Sequence, residues 1–150
     1  MNYLVGDIGN TLTKVSLLNR NFKIIKSYNI ESSKMKINKY RNKYLKKIIN
    51  KTINKKILFS SVVPTIFQKT KSFLKKKGFH VYEIKDLKIK KLIKTKVEKV
   101  SEVGSDRIAN GIGAFEKYKK NCLVIDFGTA TTFDIINNSG VYEGGVIAPG

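Results

Sequence analysis

The sequence of 150 residues contains one cysteine, one histidine, two prolines and no tryptophan. A single cysteine, Cys122, cannot form an internal disulfide, so a reducing compartment such as the cytoplasm is expected. Together with His80 it is too little for a zinc site of the usual His and Cys type. No apolar run approaches the roughly 20 residues of a membrane-spanning helix, and no basic segment precedes an apolar stretch at the N-terminus. We therefore predict a cytoplasmic protein with no membrane partner.

Acidic residues are also scarce, since 11 Asp and Glu oppose 30 Lys and Arg, which leaves a net charge of +19. The segment from Lys34 to Lys99 holds 22 of the basic residues and three of the acidic ones. A basic stripe of this size is able to attract the phosphates of nucleic acid. However, 27 of the basic residues are Lys, whereas nucleic-acid interfaces favour Arg, and no aromatic ladder or helix-turn-helix pattern accompanies them. The composition, rich also in Ile and Asn, is typical of a coding bias that fills solvated faces with Lys, and nucleic acid is not the expected partner.

The hydrophobic pattern predicts alternating strands and helices, and the 41% hydrophobic content is enough to bury a core. Strands are predicted at 3–7, 12–18, 23–30, 56–63, 80–84, 121–126, 131–136 and 141–146. Helices are predicted at 40–53, from Pro64 to a stop at Gly78, and at 107–118, the last capped by Ser105 or Asp106. This order indicates an α/β layer architecture.

Two short acidic segments with a glycine turn occur near the two ends of the chain. The first is Asp7-Ile8-Gly9-Asn10-Thr11 and the second is Asp126-Phe127-Gly128-Thr129-Ala130-Thr131-Thr132, and each follows an apolar strand. Because glycine has no Cβ, such a turn exposes backbone N–H groups and hydroxyls to a phosphate, and the Asp is able to hold a hydrated cation beside it. Taken alone, each segment also fits a plain hairpin whose Asp and Thr bond the turn, with Phe127 packed under it. Neither the Walker loop nor a G-x-G-x-x-G segment is present.

A third motif, Gly104-Ser105-Asp106-Arg107, precedes the predicted helix at 107–118. The helix dipole favours anions at this end. An Asp there is able to accept a proton from an alcohol while Arg107 binds a carboxylate in a bidentate pair. Alone, the motif also fits an N-cap Asp beside a solvent-exposed Arg. With the two hairpins it supplies what phosphoryl transfer to a hydroxyl needs, namely a phosphate cradle, a cation and a base.

Five ordered motifs together resemble those of type III pantothenate kinases. They are DIGNT from Asp7, SSVVP from Ser60, VGSDRIAN from Val103, DFGTATT from Asp126 and GGVIAPG from Gly144. The resemblance implies the duplicated fold of the superfamily of acetate kinase, heat-shock chaperones and actin. We therefore expect an α/β protein with an RNase-H-like or actin-like lobe, a mixed sheet with flanking helices, plus the start of a second, duplicated lobe. The implied activity is phosphorylation of pantothenate by ATP, the first step of coenzyme A biosynthesis.

The resemblance also implies roles for individual residues. The catalytic base would be Asp106, and Asp126, as the metal site, would hold a monovalent cation, K⁺ or NH₄⁺. Asp7 would lie near Mg²⁺. Pantothenate would be bound by Gly104, Ser105, Asp106 and Arg107. ATP would be bound by Asp7, Ile8, Gly9, Asn10, Thr11, Leu12, Thr13, Lys14 and Thr129.

The same resemblance sets the expected organisation. Residues 1–118 would form the first lobe and 119–150 the beginning of the second, and the complete protein would be a homodimer. The family continues beyond the GGxIxPG segment, so the chain is expected to be truncated, with 141–146 as an unpaired strand edge and no activity by itself. The family's Tyr and Asn-Pro pair before the G-x-D-R motif are replaced here by Val97, Lys99 and Val100.

Three alternatives remain open at the level of sequence. The chain is also compatible with a non-catalytic accessory or regulatory protein of the same fold, or with a basic nucleic-acid-binding module that uses the Lys34 to Lys99 stripe. A sugar or acetate kinase of the same superfamily is the third, although the GSDR and GGVIAPG segments fit pantothenate better.

Overall fold

A computed structural model describes residues 1–49 and 53–150 of the chain. Their contacts divide the chain into two compact units, Met1–Glu83 and Ile84–Gly150. The predicted lobe boundary after Tyr118 differs from this contact boundary, because residues 84–118 pack with the second sheet. The boundary between duplicated lobes stays a prediction.

The first unit is a five-stranded mixed sheet with helices. Its elements are β1 (Asn2–Ile8), β2 (Leu12–Leu18), β3 (Ile24–Glu31), α1 (Ser32–Met35), α2 (Asn38–Ile48), β4 (Ile53–Ser61), α3 (Pro64–Lys75) and β5 (His80–Glu83). The strand order is β3-β2-β1-β4-β5. The first three strands are antiparallel neighbours, whereas β4 and β5 run parallel to β1 because α2 and α3 provide the crossovers.

The core of the first unit follows from the apolar positions of these elements. Alternate residues of β1, such as Leu4 and Ile8, are buried against the buried faces of the helices, which include Leu45 of α2 and Ile66 of α3. α3 begins at Pro64 as predicted, since proline suits the first helical turn, where its missing N–H has no partner to lose. The burial of these side chains fixes which face of the sheet the helices cover.

The predicted helix at 40–53 is too long. α2 ends at Ile48, Ile49 already has an extended backbone, and Ile53 opens β4. Residues 50–52 lie outside the described residues. Ile49 and Ile53 have the i, i+4 spacing of a helix face, although Ile53 belongs to the next strand. Hydrophobic periodicity alone therefore does not locate the C-terminal end of α2.

The second unit is built on a four-stranded sheet. Its elements are β6 (Lys94–Thr95), α4 (Ser105–Tyr118), β7 (Cys122–Phe127), β8 (Ala130–Ile136) and β9 (Val141–Pro149), with short 3₁₀ turns at Ile84–Asp86, Ile89–Lys91 and Val100–Glu102. The strand order is β6-β9-β8-β7, in which β7, β8 and β9 are antiparallel neighbours. α4 packs on this sheet at Gly111, where an added Cβ would lie 3.4 Å from Ile93, Ile136 and Tyr142.

Two sequence predictions in this unit are corrected. The expectation of an unpaired edge at 141–146 is wrong at Val141 and Tyr142, which pair with β6 on one side while β8 lies on the other. The strand β6 was not predicted, because its two residues lie in a lysine-rich segment that shows no strand pattern. The N-cap of α4 is Gly104, not Ser105 or Asp106, and no side chain caps this helix.

None of the helices in the described part of the chain is long and apolar enough to cross a membrane.

Candidate active site

The first hairpin turn lies in the first unit, between β1 and β2. The Gly9 backbone N–H donates to the Leu12 carbonyl at 3.0 Å, which closes the turn tightly. Asp7, Asn10 and Thr11 are exposed here. The turn therefore displays carboxylate, amide and hydroxyl groups at the end of a buried strand, an arrangement suited to a phosphate and a hydrated cation.

The other predicted residues of this hairpin divide by burial. Leu12 and Lys14 are exposed, whereas Ile8 and Thr13 are fully buried in the unit. The side chains of Ile8 and Thr13 thus belong to the interior. Ile8 and Thr13 could therefore contact a phosphate only through their backbone atoms.

A buried serine holds this turn from behind. The Ser32 hydroxyl donates to the Gly9 carbonyl at 2.6 Å, and its backbone N–H donates to the Thr11 carbonyl at 2.8 Å. Its oxygen also lies 3.0 Å from Oγ1 of Thr13. Because the single Ser32 proton is directed to Gly9, the Thr13 hydroxyl is the donor in this contact. Ser32 is not among the predicted site residues, because a Ser-Ser pair after a strand carries no distinctive pattern.

The second hairpin turn lies in the second unit, between β7 and β8. The Gly128 N–H donates to the Ala130 carbonyl at 3.2 Å, and Asp126 and Thr129 are exposed. The prediction that Phe127 packs under the turn is wrong, because this side chain is 80% exposed. Its place on the strand leaves it on the open face of the sheet.

The N-terminus of α4 meets the second hairpin through one hydrogen bond. Asn110, one turn after Asp106, donates from Nδ2 to Oδ2 of Asp126 at 2.9 Å. Asp106 itself is half-exposed, and its Oδ1 accepts the backbone N–H of Arg107 at 2.8 Å. The structure thereby ties two of the predicted motifs, VGSDRIAN and DFGTATT, to each other within one unit.

Arg107 forms an ion pair that the sequence analysis did not predict. Its Nε donates to Oδ1 of Asp134 at 2.8 Å, and its Nη2 lies 2.7 Å from the same oxygen. The hydroxyl of Tyr142 donates to this carboxylate oxygen as well. Asp134 is completely buried in β8. Its charge beside the apolar Phe133 and Ile135 is the signal in the sequence by which it could have been found.

The ionisation of this cluster follows from its burial. Burial alone would lower the pKa of Arg107, but the hydrogen bond and the charge of Asp134 outweigh it, so the pKa is raised. Burial, followed by the hydrogen bond to Asp134, raises the pKa of the Tyr142 hydroxyl. Arg107 therefore stays charged and Tyr142 stays neutral over the ordinary pH range.

A pocket of about 430 Å³ lies beside Arg107. Of the four residues predicted to bind the substrate, Arg107 lines this pocket, whereas Gly104, Ser105 and Asp106 do not. Ser105 is buried within the first turn of α4. The remaining wall is formed by Val97, Glu98, Lys99, Glu102, Val103, Tyr142 and Gly145. Val97 and Lys99 thus line the same pocket as Arg107.

The structure explains why Gly145, the second residue of the GGVIAPG motif, is a glycine. A Cβ added at Gly145 would lie 2.0 Å from the Phe133 carbonyl oxygen and 2.7 Å from both Nη2 of Arg107 and Oδ1 of Asp134. The backbone of β9 therefore approaches the ion pair more closely than any other residue type allows. Gly144 beside it has a φ of +121°, which side chains rarely tolerate.

The donors at the two hairpins fit cations that prefer oxygen. In the described residues, no group of three or more His, Cys, Asp and Glu side chains is placed to hold a metal ion. Mg²⁺ in kinases needs only one or two carboxylates, because substrate phosphates and water complete its shell. In the first unit, the exposed carboxylate of Asp7 meets that requirement for Mg²⁺. In the second unit, the exposed carboxylate of Asp126 offers oxygen to a monovalent cation.

Comparison with known proteins now decides the family. The sequence profile of type III pantothenate kinase matches residues 3–150. The chain belongs to the type III pantothenate kinase family. The type III pantothenate kinase of Pelagibacter ubique is 45% identical over 148 residues, which are 98% of this chain and 58% of that protein. That of Koribacter versatilis is 44% identical over 98 residues, which are 63% of this chain and 34% of that protein. This family member thus spans less than two thirds of the relatives it matches.

Solved structures show the fold. The reductive activator for a corrinoid, iron-sulfur protein superposes with a TM-score of 0.58 at 14% identity, covering 99% of this chain and 31% of that one. The inorganic polyphosphate/ATP-glucomannokinase of Arthrobacter gives a TM-score of 0.51 at 15% identity, covering 94% and 60%. The actin-like α/β fold that the sequence predicted for this pantothenate kinase family member is confirmed.

Proposed function

We propose that this member of the type III pantothenate kinase family phosphorylates the hydroxyl of pantothenate with ATP, the first step of coenzyme A biosynthesis. The observation that supports it most is the arrangement at the start of α4. There a half-exposed carboxylate, Asp106, adjoins a charged guanidinium, Arg107, that lines a pocket of about 430 Å³. An acceptor with a carboxylate at one end and a hydroxyl at the other matches this pair.

Arg107 is proposed to bind the pantothenate carboxylate. Its Nε and Nη2 face Asp134, and its Nη1 has no hydrogen bond to any residue in the described ranges. The buried ion pair fixes the plane of the guanidinium, so Nη1 is held in place for an anion without further loss of side-chain freedom.

Asp106 is proposed to be the general base. Its Oδ1 is occupied by the Arg107 backbone N–H, which leaves Oδ2 to take the proton of the attacking hydroxyl. As the hydroxyl oxygen attacks the γ-phosphorus in line, the bond to the β,γ-bridging oxygen breaks and ADP leaves.

The first hairpin, Asp7 to Lys14, is proposed to bind the phosphates of ATP, and Thr129 of the second hairpin to contact ATP. The exposed Asn10, Thr11 and Lys14 supply donors, and the tight Gly9 turn brings backbone N–H groups close. Asp7 is proposed to hold Mg²⁺, which neutralises the charge that the transferred phosphoryl group carries.

Asp126 is proposed to hold the monovalent cation, K⁺ or NH₄⁺. Its Oδ1 remains available while Oδ2 accepts the Asn110 amide, and the carboxylate is exposed. Such a cation would offset the negative charge of ATP beside the helix that carries Asp106. A homodimeric state and a cytoplasmic location are proposed on the family resemblance.

The proposal is tested by direct detection of phosphopantothenate. The purified chain, and a chimera that continues after Gly150 with the remaining residues of the Pelagibacter relative, are incubated with ATP, Mg²⁺, K⁺ and pantothenate. Mass spectrometry is expected to show the product in the chimera, with little or none from the 150-residue chain. Glucose and acetate serve as control acceptors. Phosphorylation of either in place of pantothenate, or a folded chimera that binds ATP but transfers nothing, would contradict the proposal.

A further inference from the structure

A second pocket, of about 460 Å³, lies in the first unit between α2 and α3. It shares no residue with the two hairpins or with the pocket beside Arg107. Asn38, Arg41 and Asn42 of α2 form one wall, at the i, i+3 and i+4 positions that share a helix face. Lys69, Phe73 and Lys76 contribute from the side of α3.

The distinctive feature of this pocket is a buried guanidinium that has no counter-charge among the described residues. Arg41 is 5% exposed. Its Nη1 donates to the Met35 carbonyl at 3.2 Å and its Nη2 to Oδ1 of Asn38 at 2.6 Å, while its buried Nε has no partner among the described residues. Both acceptors are neutral. Within residues 1–49 and 53–150 Arg41 forms no ion pair, which is uncommon because a buried charge is usually paired.

Burial lowers the pKa of Arg41, and no carboxylate in the part of the chain that the structure describes offsets this desolvation. An anion placed in the pocket would provide the missing charge. The Oδ1 atom of Asn42 is also buried and without a hydrogen-bond partner in the described part of the chain, but as an acceptor it does not itself bind an anion.

The remaining charges around the pocket have the same sign. Lys69 and Lys76 line it and have no ion-pair partner in the described ranges, and none of its lining residues is acidic. The first turn of α2, which includes Asn38, also contains no acidic residue and has no side-chain cap. The positive end of the α2 dipole therefore adds to the attraction of an anion.

The shape of the site distinguishes its ligand from a long polyanion. A nucleic-acid surface is broad and solvated, whereas here the central cation is sunk between two helices and Phe73 gives the wall an apolar part. The volume is that of a small-molecule site. Because several cationic side chains and no acidic side chain line this pocket, it suits a chemical group that carries more than one negative charge.

We propose that the α2–α3 pocket binds a small phosphate-bearing molecule, with Arg41, Lys69 and Lys76 as the cations that hold its phosphate. This site is separate from the proposed catalytic groups, so it does not depend on the proposed kinase activity.

The proposal is tested by calorimetric titration with pyrophosphate. The affinity of the unchanged chain is compared with that of a double variant that carries Lys69→Gln and Lys76→Gln. These lysines are exposed, so the double variant is expected to fold, whereas Arg41 also supports the Met35 carbonyl. The matched control is Lys75→Gln with Lys77→Gln, which removes two charges from the same stretch but from residues that do not line the pocket. Binding at the first hairpin is common to all three proteins and cancels in the comparison.

We expect the pocket variant to lose about tenfold or more in pyrophosphate affinity and the control variant less than about twofold. An equal loss in both variants would show general charge attraction, and no loss in the pocket variant would show that the site does not bind phosphate. Either result overturns the proposal. So does tighter binding of a single-stranded oligonucleotide than of pyrophosphate at equal phosphate concentration, because the ligand would then be a polynucleotide.

Discussion

The Nε atom of Arg107 donates a 2.8 Å hydrogen bond to Oδ1 of Asp134, a carboxylate with no solvent exposure. The pair joins α4 to β8 and sets the position from which Arg107 lines its pocket. Because Tyr142 donates to the same oxygen, three elements of the second unit meet at one charge. Arg107, which is proposed to bind the substrate, is thus also part of the packing of the fold.

Asp134→Asn should lower the free energy of unfolding of the chain by about 3 kcal/mol, because it leaves a largely buried guanidinium without its counter-charge. Urea denaturation measures the change. Glu116→Gln is the control, since it removes a carboxylate from a surface ion pair with Lys119 and should cost about 0.5 kcal/mol or less. Equal stability of the two variants would show that the Arg107 pair contributes little.

Gly145→Ala should destabilise the second unit by roughly 2 kcal/mol or more, because its Cβ would meet the Phe133 carbonyl, which is backbone and cannot turn away. Gly113→Ala is the matched control. Nothing lies within 4 Å of a Cβ there and the residue is inside α4, so alanine should stabilise by about 0.5–1 kcal/mol. Thermal unfolding of both variants gives the comparison, and a tolerated Gly145→Ala would contradict the close approach of β9.

Ser32→Ala should weaken ATP binding severalfold, because the Gly9 carbonyl of the first hairpin loses the hydroxyl that donates to it and this part-buried carbonyl is left unpaired. Ser33→Ala is the control, since Ser33 is exposed and its hydroxyl has only a 3.5 Å contact to Glu31. Fluorescence titration with a labelled ATP analogue measures both affinities. If Ser32→Ala binds the analogue as the unchanged chain does, Ser32 does not position the phosphate turn.

Much of the fold was predictable because local chemistry and tertiary packing agree there. The Gly9 turn, the Pro64 start of α3 and the alternating strands all appear as expected. The helix end at Ile48 was not predictable, because helical spacing continues through Ile53 although the chain has already left the helix. The two-residue strand β6 depends on pairing with β9, which no local pattern encodes.

The candidate site was predictable only as motifs. Asp106, Arg107 and Asp126 stand out through glycine and charge patterns. That two of the motifs meet, through the hydrogen bond from Asn110 to Asp126, is seen only in the structure. Asp134 and Ser32 act through contacts 27 and 23 residues away in sequence, and single polar residues give no spacing to detect.

Asp126→Asn should reduce K⁺ activation of pantothenate phosphorylation by the chimera. Removing the negative charge weakens an oxygen site for a monovalent cation, so the K⁺ concentration at half-activation should rise about tenfold or more, while the KM for pantothenate changes little. Steady-state rates over a K⁺ series at constant ionic strength provide the measurement. If the dependence of the rate on K⁺ concentration is unchanged in Asp126→Asn, Asp126 does not hold the cation.

The central claim is that Asp106 accepts the proton of the pantothenate hydroxyl. The most direct test compares the chimera carrying Asp106→Asn with the chimera carrying Glu116→Gln, a carboxylate on the same helix that pairs with Lys119 at the surface. We predict that kcat for phosphopantothenate formation falls by about 10²- to 10⁴-fold in Asp106→Asn and stays within twofold in Glu116→Gln, with ATP affinity unchanged in both. Turnover by Asp106→Asn within a few-fold of the unsubstituted chimera would contradict the account.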